Sequence, residues 1–161
     1  MLISEVIVKK SNYYIGIKLL FLLTAIILNA IILFNLFIDS SLLNLIFKGF
    51  FSTVCHQSPE KTMTIPGFTF IVCSRCSGIY IGFLISTLFS VLIHGKSKNI
   101  SLKIFFSAYL PMITDVMLVQ LGIMNYYLIS AFLSGLVFGF FAYLFFIENF
   151  KQYLGKNFEQ I

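Results

Sequence analysis

Long uncharged apolar runs alternate along this chain with short polar segments. Residues 19–38 hold twenty positions without a charge, residues 76–93 eighteen and residues 126–147 twenty-two, while residues 104–124 are interrupted only by Asp115. At about 1.5 Å per residue, each run is long enough to cross a hydrocarbon core of roughly 30 Å, so the pattern predicts four transmembrane helices. Thr24, Asn29 and Asn35 are expected to face other helices, because polar groups in lipid need partners. Residues 42–54 are apolar but too short to cross, and Asn44, Lys48 and Ser52 recur along them every four positions. One polar stripe of this kind predicts an amphipathic helix lying at the membrane interface. Residues 55–76 read as a loop that reverses at residues 65–68, since Pro66 fixes φ and Gly67 permits the positive φ of a type II turn.

The fold class that follows is an all-α membrane protein: four transmembrane helices, a short interfacial helix and a Cys/His-containing loop in one integral membrane domain over residues 1–161. Gly78, Gly82 and Ser86 fall at i, i+4 and i+8 of the second run, and Ala131, Gly135 and Gly139 do the same in the fourth. Small residues on one face let helix backbones approach, so both faces are expected inside a bundle. The spacing fits packing within one chain, a homo-oligomer or another membrane partner equally well. The Phe-rich runs are read as lipid-facing.

Composition sharpens this picture. The 161 residues are 59% apolar and 11% charged, against roughly 45–50% and about 25% in soluble domains, which excludes a water-soluble enzyme. The abundance of aromatic and β-branched residues excludes disorder. The net charge of +5 reports orientation rather than a nucleic-acid partner. Eight of the eleven positive side chains (Lys9, Lys10, Lys18, Lys96, Lys98, Lys103, Lys151 and Lys156) flank the runs on one side, and Lys48, Lys61 and Arg75 lie on the other. The positive-inside bias then places both termini of a multi-pass cell-membrane protein in the cytoplasm and residues 55–76 on the exoplasmic face. The first run is too long for a signal core and no small-x-small site follows it, so it reads as an uncleaved anchor. His94 reads as a solvated interfacial residue.

Chemistry concentrates in one segment. All three cysteines, Cys55, Cys73 and Cys76, share residues 55–76 with His56, Gln57, Glu60 and Arg75. Thiolate and imidazole suit zinc or iron, and a Cys-x-x-Cys pair can direct two sulfurs at one ion. Cys55, His56, Cys73 and Cys76 would complete a tetrahedron. Adjacent residues point apart, however, so the alternative is a three-thiolate site with His56 behind it and one position open. Gln57, Glu60 and Arg75 are the supporting polar residues. The same sulfurs also fit a membrane thiol-disulfide oxidoreductase, because a helix start and Arg75 would lower the pKa of Cys73 and Cys76 while Cys55 exchanges with them. Against it, three cysteines cannot form two pairs. The bland reading is three small buried hydrophobes.

Asp115 is the second anomaly. A carboxylate deep in a span costs about 2.5–3.5 kcal/mol on insertion scales and calls for a partner or a function, such as lining the path of a small transporter or serving a non-enzymatic membrane subunit. Pro111, four residues before it, frees a backbone carbonyl and should kink the helix. With the span ending at Met124, Asp115 lies roughly 13 Å deep, beyond the reach of Arg75 unless the cysteine loop dips into the bundle. Gln120 sits about 140° around the helix from Asp115 and shares no face with it.

The stretch Cys55-His56-Gln57-x-Pro59-Glu60-Lys61, followed by Val72-Cys73-x-Arg75-Cys76-x-Gly78-Ile79-Tyr80-x-Gly82, resembles the domain of unknown function 2085 family of small prokaryotic integral membrane proteins. A weaker likeness continues through Pro111, Asp115 and Gln120 to Ser134, Gly135 and Gly139. Lys61 stands where the family has Arg, Val116 where it has Gly, and Ala131 where it has Arg. The resemblance implies no activity. It does imply that the Cys/His cluster and Asp115 belong to a shared pattern.

Overall fold

The structure, a computed structural model, describes residues 2–34, 41–65, 68–92 and 102–158. Asn35, Pro66, Gly67, His94, Lys96 and Lys98 lie outside the described residues. In chain order the elements are α1 (Leu2–Phe34), α2 (Ser41–Ser52), a 3-10 turn (Pro59–Lys61), β1 (Thr62–Ile65), β2 (Phe68–Cys73), α3 (Ser74–Leu92), α4 (Leu102–Gln120) and α5 (Leu128–Phe158). The protein is thus mostly helical. Three helices are long and apolar enough to cross a membrane, over Tyr14–Leu33, Ser74–Leu92 and Leu128–Phe150, while α4 offers the shorter apolar stretch Phe105–Gln120.

The expected all-α architecture needs a correction, because the segment read as a loop is largely a hairpin. β1 and β2 pair antiparallel from Thr62↔Cys73 to Ile65↔Phe68, with an irregularity between Thr62 and Thr64. The reason is local: Thr-Met-Thr-Ile and Phe-Thr-Phe-Ile-Val-Cys are rich in β-branched and aromatic residues that fit a pleated surface. Two residues separate the paired Ile65 and Phe68; the turn expected at Pro66 and Gly67 lies outside the described residues.

Helix limits also differ from the apolar runs. The helix expected from residue 76 starts at Ser74, and the one expected from residue 126 starts at Leu128. α4 stops at Gln120, four residues short of the apolar run. There Gly122 takes φ +70°, its N–H bonds the Val119 carbonyl and the Ile123 N–H bonds that of Leu118. This pair of bonds is a Schellman cap, which a residue without Cβ closes at least cost.

α3 lies between α1 and α5, and α4 packs on α5. The two small-residue ladders face each other across the α3–α5 contact. A Cβ added at Gly78 or Gly82 would fall on the carbonyl oxygen of Phe132 or Leu136, and one added at Gly135 or Gly139 on that of Arg75 or Ile79. Ser86 and Ala131 are buried at the ends of the same faces. On the other side of α3, the buried Asn29 of α1 donates to the Tyr80 carbonyl at 3.1 Å as well as to Ala25 in its own helix. Thr24 departs from expectation: it is exposed and bonds only the Leu20 carbonyl one turn back.

Several phenylalanines are half-buried in contacts between helices rather than wholly lipid-facing. Phe21, Phe83 and Tyr143 form a cluster joining α1, α3 and α5, with centroids 5.3–6.2 Å apart. Phe105 of α4 stacks on Phe145 of α5 at 4.5 Å. α2 buries Phe51 (1% exposed) against Ile32, Ile71 and Val72, and leaves Leu42, Leu45, Ile46 and Phe50 exposed. That small apolar core is the floor on which the cysteines sit.

The α3–α5 approach predicts a sharp contrast between glycines. Gly82→Ala and Gly139→Ala should each lower stability by about 1–3 kcal/mol through overpacking against backbone. Gly16→Ala, where nothing lies within 4 Å of the new Cβ, should leave it unchanged or slightly raise it. Thermal unfolding in detergent, followed by circular dichroism, reads the difference.

Candidate functional site

Three elements deliver one sulfur each. Cys55 follows α2, where its N–H bonds the Phe51 carbonyl at 2.8 Å. Cys73 ends β2, and Cys76 lies in the first turn of α3. The three Sγ atoms all lie within 4.8 Å of one another, the one close group of potential metal ligands among the described residues. No disulfide joins them. Cys55 is buried, while Cys73 and Cys76 are partly exposed.

The backbone is arranged around these sulfurs. The Cys73 N–H donates to Cys55 Sγ at 3.1 Å. The Gln57 N–H also reaches Cys55, through a turn in which Gln57 adopts φ +46°. Cys73 immediately precedes α3, and the backbone N–H of Cys76 in the first turn acts to lower the Cys73 thiol pKa, though not enough to offset the causes that raise it. Ser74, one residue on, donates to the Leu128 carbonyl at 2.5 Å and so ties the start of α3 to the start of α5. The Cys55 thiol is held well below its ordinary pKa, first by the hydrogen bond its sulfur receives from Cys73 and then by that from Cys76. The Cys73 thiol is pushed up, chiefly because it is the donor to Cys55. Cys55 is thus the sulfur of the group on which negative charge is most favoured.

The other residues singled out in the sequence fall in different places. His56 is exposed and stands apart from the sulfur group. The Gln57 side chain donates to the Lys48 carbonyl of α2 at 2.9 Å, closing the turn that carries Cys55. Glu60 and Gln120 are exposed.

Arg75 and Asp115, expected to lie too far apart, form an ion pair through Nη2 and Oδ2. The expectation failed because α4 ends at Gln120, which brings Asp115 to roughly 7–8 Å from the helix end instead of 13 Å. Ser130 of α5 donates to the other carboxylate oxygen at 2.8 Å. Asp115 and Ser130 also line a cavity of about 180 Å³ together with Thr114, Asn125 and Tyr127.

Tyr126 was missed in the sequence. Its ring takes Lys61 Nζ at 5.6 Å and the Arg75 guanidinium at 5.8 Å, in cation–π contacts. Burial first, and then the neighbouring Cys73, push its hydroxyl pKa up to about 12. Gly122 was the available signal: a helix stop there frees residues 123–127 to form a connection that folds back over the site.

Apolar helices with three sulfurs meeting beside the start of α3 define a membrane protein with a cysteine cluster. The family model described as a predicted membrane protein (DUF2085) matches residues 55–145, more than half of the chain, and the protein belongs to that family. It is 35% identical over 65 residues to an uncharacterised protein of Methanothermobacter thermautotrophicus, a match covering 40% of this chain and 59% of that relative. It is 28% identical over 114 residues to an uncharacterised protein of Methanocaldococcus jannaschii, covering 68% and 71%. The chain thus spans less than two thirds of the first relative's length. No solved structure matches it.

The lowered Cys55 pKa has a direct readout. Because the folded value lies below the ordinary thiol value of about 8.5, one thiolate should already absorb in the ultraviolet at about pH 6 in metal-free protein. The signal should stay flat between about pH 6 and 7.5, and Cys55→Ser should remove it.

Proposed function

We propose that this protein binds one metal ion, zinc or iron, through Cys55, Cys73 and Cys76 at the exoplasmic end of a four-crossing bundle. The observation that carries the reading is the convergence of three sulfurs within 4.8 Å from three separate elements. Soft thiolates in such a group suit zinc or iron, and backbone N–H groups directed at Cys55 and Cys73 would steady the negative charge of the bound state. Three protein ligands leave a fourth position for water or an exogenous ligand, as catalytic zinc sites do. His56, exposed beside Cys55, is assigned no bond to the ion in this reading. The ion would join α2, the hairpin and α3.

The orientation belongs to the same proposal. α4 has 19 residues, about 28 Å of helix, which supports a fourth crossing. Both termini then lie in the cytoplasm with most of the lysines. α2 lies at the interface, its exposed Leu42, Leu45 and Phe50 in contact with lipid. Attaching reporter domains to each terminus and to the 59–61 segment tests the topology, and a cytoplasmic 59–61 segment would overturn it.

Elemental analysis tests the metal. Protein purified in detergent without chelator should hold about one equivalent of zinc or iron, and replacing Cys73 and Cys76 by Ser should remove it. Metal-free wild type would sink the reading. The mutual proximity of the sulfurs also favours a second reading, a thiol-disulfide oxidoreductase that cycles a Cys73–Cys76 disulfide with Cys55 as the exchanging thiol. Alkylation in cells before and after reduction separates the two. A reversibly blocked pair supports redox exchange, and thiols that stay reduced and protected support metal.

A further inference from the structure

Arg75 stands between two of the three sulfur residues, two positions after Cys73 and one before Cys76. A guanidinium keeps its charge at any physiological pH, and its side chain is long and flexible. Three thiolates around a divalent ion carry a net negative charge. A cation this near in the chain has the chemistry to take those thiolates through charge-assisted N–H bonds.

In the structure the guanidinium is engaged by other groups. Arg75 Nη2 pairs with Asp115 on α4, and Ser130 on α5 fixes the opposite carboxylate oxygen at 2.8 Å. The guanidinium lies over the Tyr126 ring at 5.8 Å. The hydrogen bonds to Cys55 Sγ come from the backbone of Cys73 and Gln57 and from the two other thiols. Arg75 Nε is buried without a partner, so the pair is not a two-point fork and the guanidinium keeps unused donors. Both members are largely buried, with 18% of the Arg75 and 15% of the Asp115 side chain exposed. An Arg75 deprived of its carboxylate there has a strong incentive to find another anion.

We propose that Asp115 is a positioning residue of the sulfur site. It holds the Arg75 guanidinium on the α4 side, so that all three sulfurs remain open to the metal. The proposal rests on the metal reading above and adds the means by which a residue outside the ligand set governs affinity. It differs from a simple structural clamp in the sign of its effects. If the pair only braced the fold, losing either member would weaken binding alike. If Asp115 restrains a competitor, losing Asp115 harms binding and losing Arg75 does not.

The test is a double-mutant cycle on the full chain in detergent, with zinc affinity measured by competition against a chromophoric chelator and thermal unfolding followed in parallel. Asp115→Asn should weaken zinc binding about tenfold or more, the range typical of residues that support metal ligands from outside. Arg75→Gln should match or exceed wild type, the double variant should recover to the Arg75→Gln value, and Asp115→Glu should stay near wild type. Cobalt-loaded protein gives an independent signature: the thiolate-to-cobalt absorption should fall in Asp115→Asn and return in the double variant. Should Asp115→Asn fail to fold, Ser130→Ala serves instead. It should weaken binding in the wild-type background and have no effect beside Arg75→Gln. Equal losses in both single variants without recovery, or unchanged affinity in Asp115→Asn, overturn the proposal and leave the metal reading standing. Absence of zinc binding in wild type and every variant overturns the metal reading itself.

Discussion

The backbone approach of α3 to α5 is the constraint on which the rest of this structure depends. Gly78, Gly82, Gly135 and Gly139 bring each helix onto carbonyl oxygens of the other, and lipid tails supply no hydrophobic drive for such contacts. Dispersion over a close fit has to hold the helices together instead. Because the contact begins at the first turns of both helices, it fixes Ser74 against Leu128, and with it the position of Cys73 and Cys76. The sulfur group is thus referenced to the tightest contact in the bundle. α1 and α4 pack outside this pair, α1 through Phe21 on Phe83 and Tyr143 and α4 through Phe105 on Phe145.

Electrostatics organises the same end of the bundle. Arg75, Asp115, Ser130 and Tyr126 come from α3, α4, α5 and the connection between the last two, and each touches at least one other. In water such an ion pair would contribute little. Here its members are largely buried, so breaking it leaves an uncompensated charge, which makes it costly to disrupt even where its net contribution is small. Cys55, by contrast, is steadied by neutral N–H and S–H donors.

Much of this was legible in the sequence, for identifiable reasons. Span-length apolar runs and four-residue ladders of Gly, Ser and Ala are governed by helix periodicity, so they read directly. The clustering of three cysteines within 22 positions anticipated that their sulfurs would meet, although Cys73 and Cys76 are carried by a strand end and a helix start rather than by a loop. What failed depended on where elements stop. Reading apolarity alone carried α4 past Gly122, where backbone conformation ends the helix, and this one error hid both the Arg75–Asp115 pair and Tyr126. The hairpin was hidden in a different way. Its Thr, Ile, Val and Phe residues were all visible, but strands of four and six residues are too short to show a span-length pattern.

The order of elements adds a consequence for assembly. α3 precedes α5 by a whole intervening helix, so during synthesis α3 must reach the bilayer with its glycine face bare. Its proper cover does not exist until the ribosome has passed Gly139. Until then nothing holds Ser74 to Leu128, and Asp115 lacks Ser130. What α5 adds late is therefore the anchor of Ser74 and the second bond to Asp115, whereas every sulfur and the apolar core beneath it were made before α4 began.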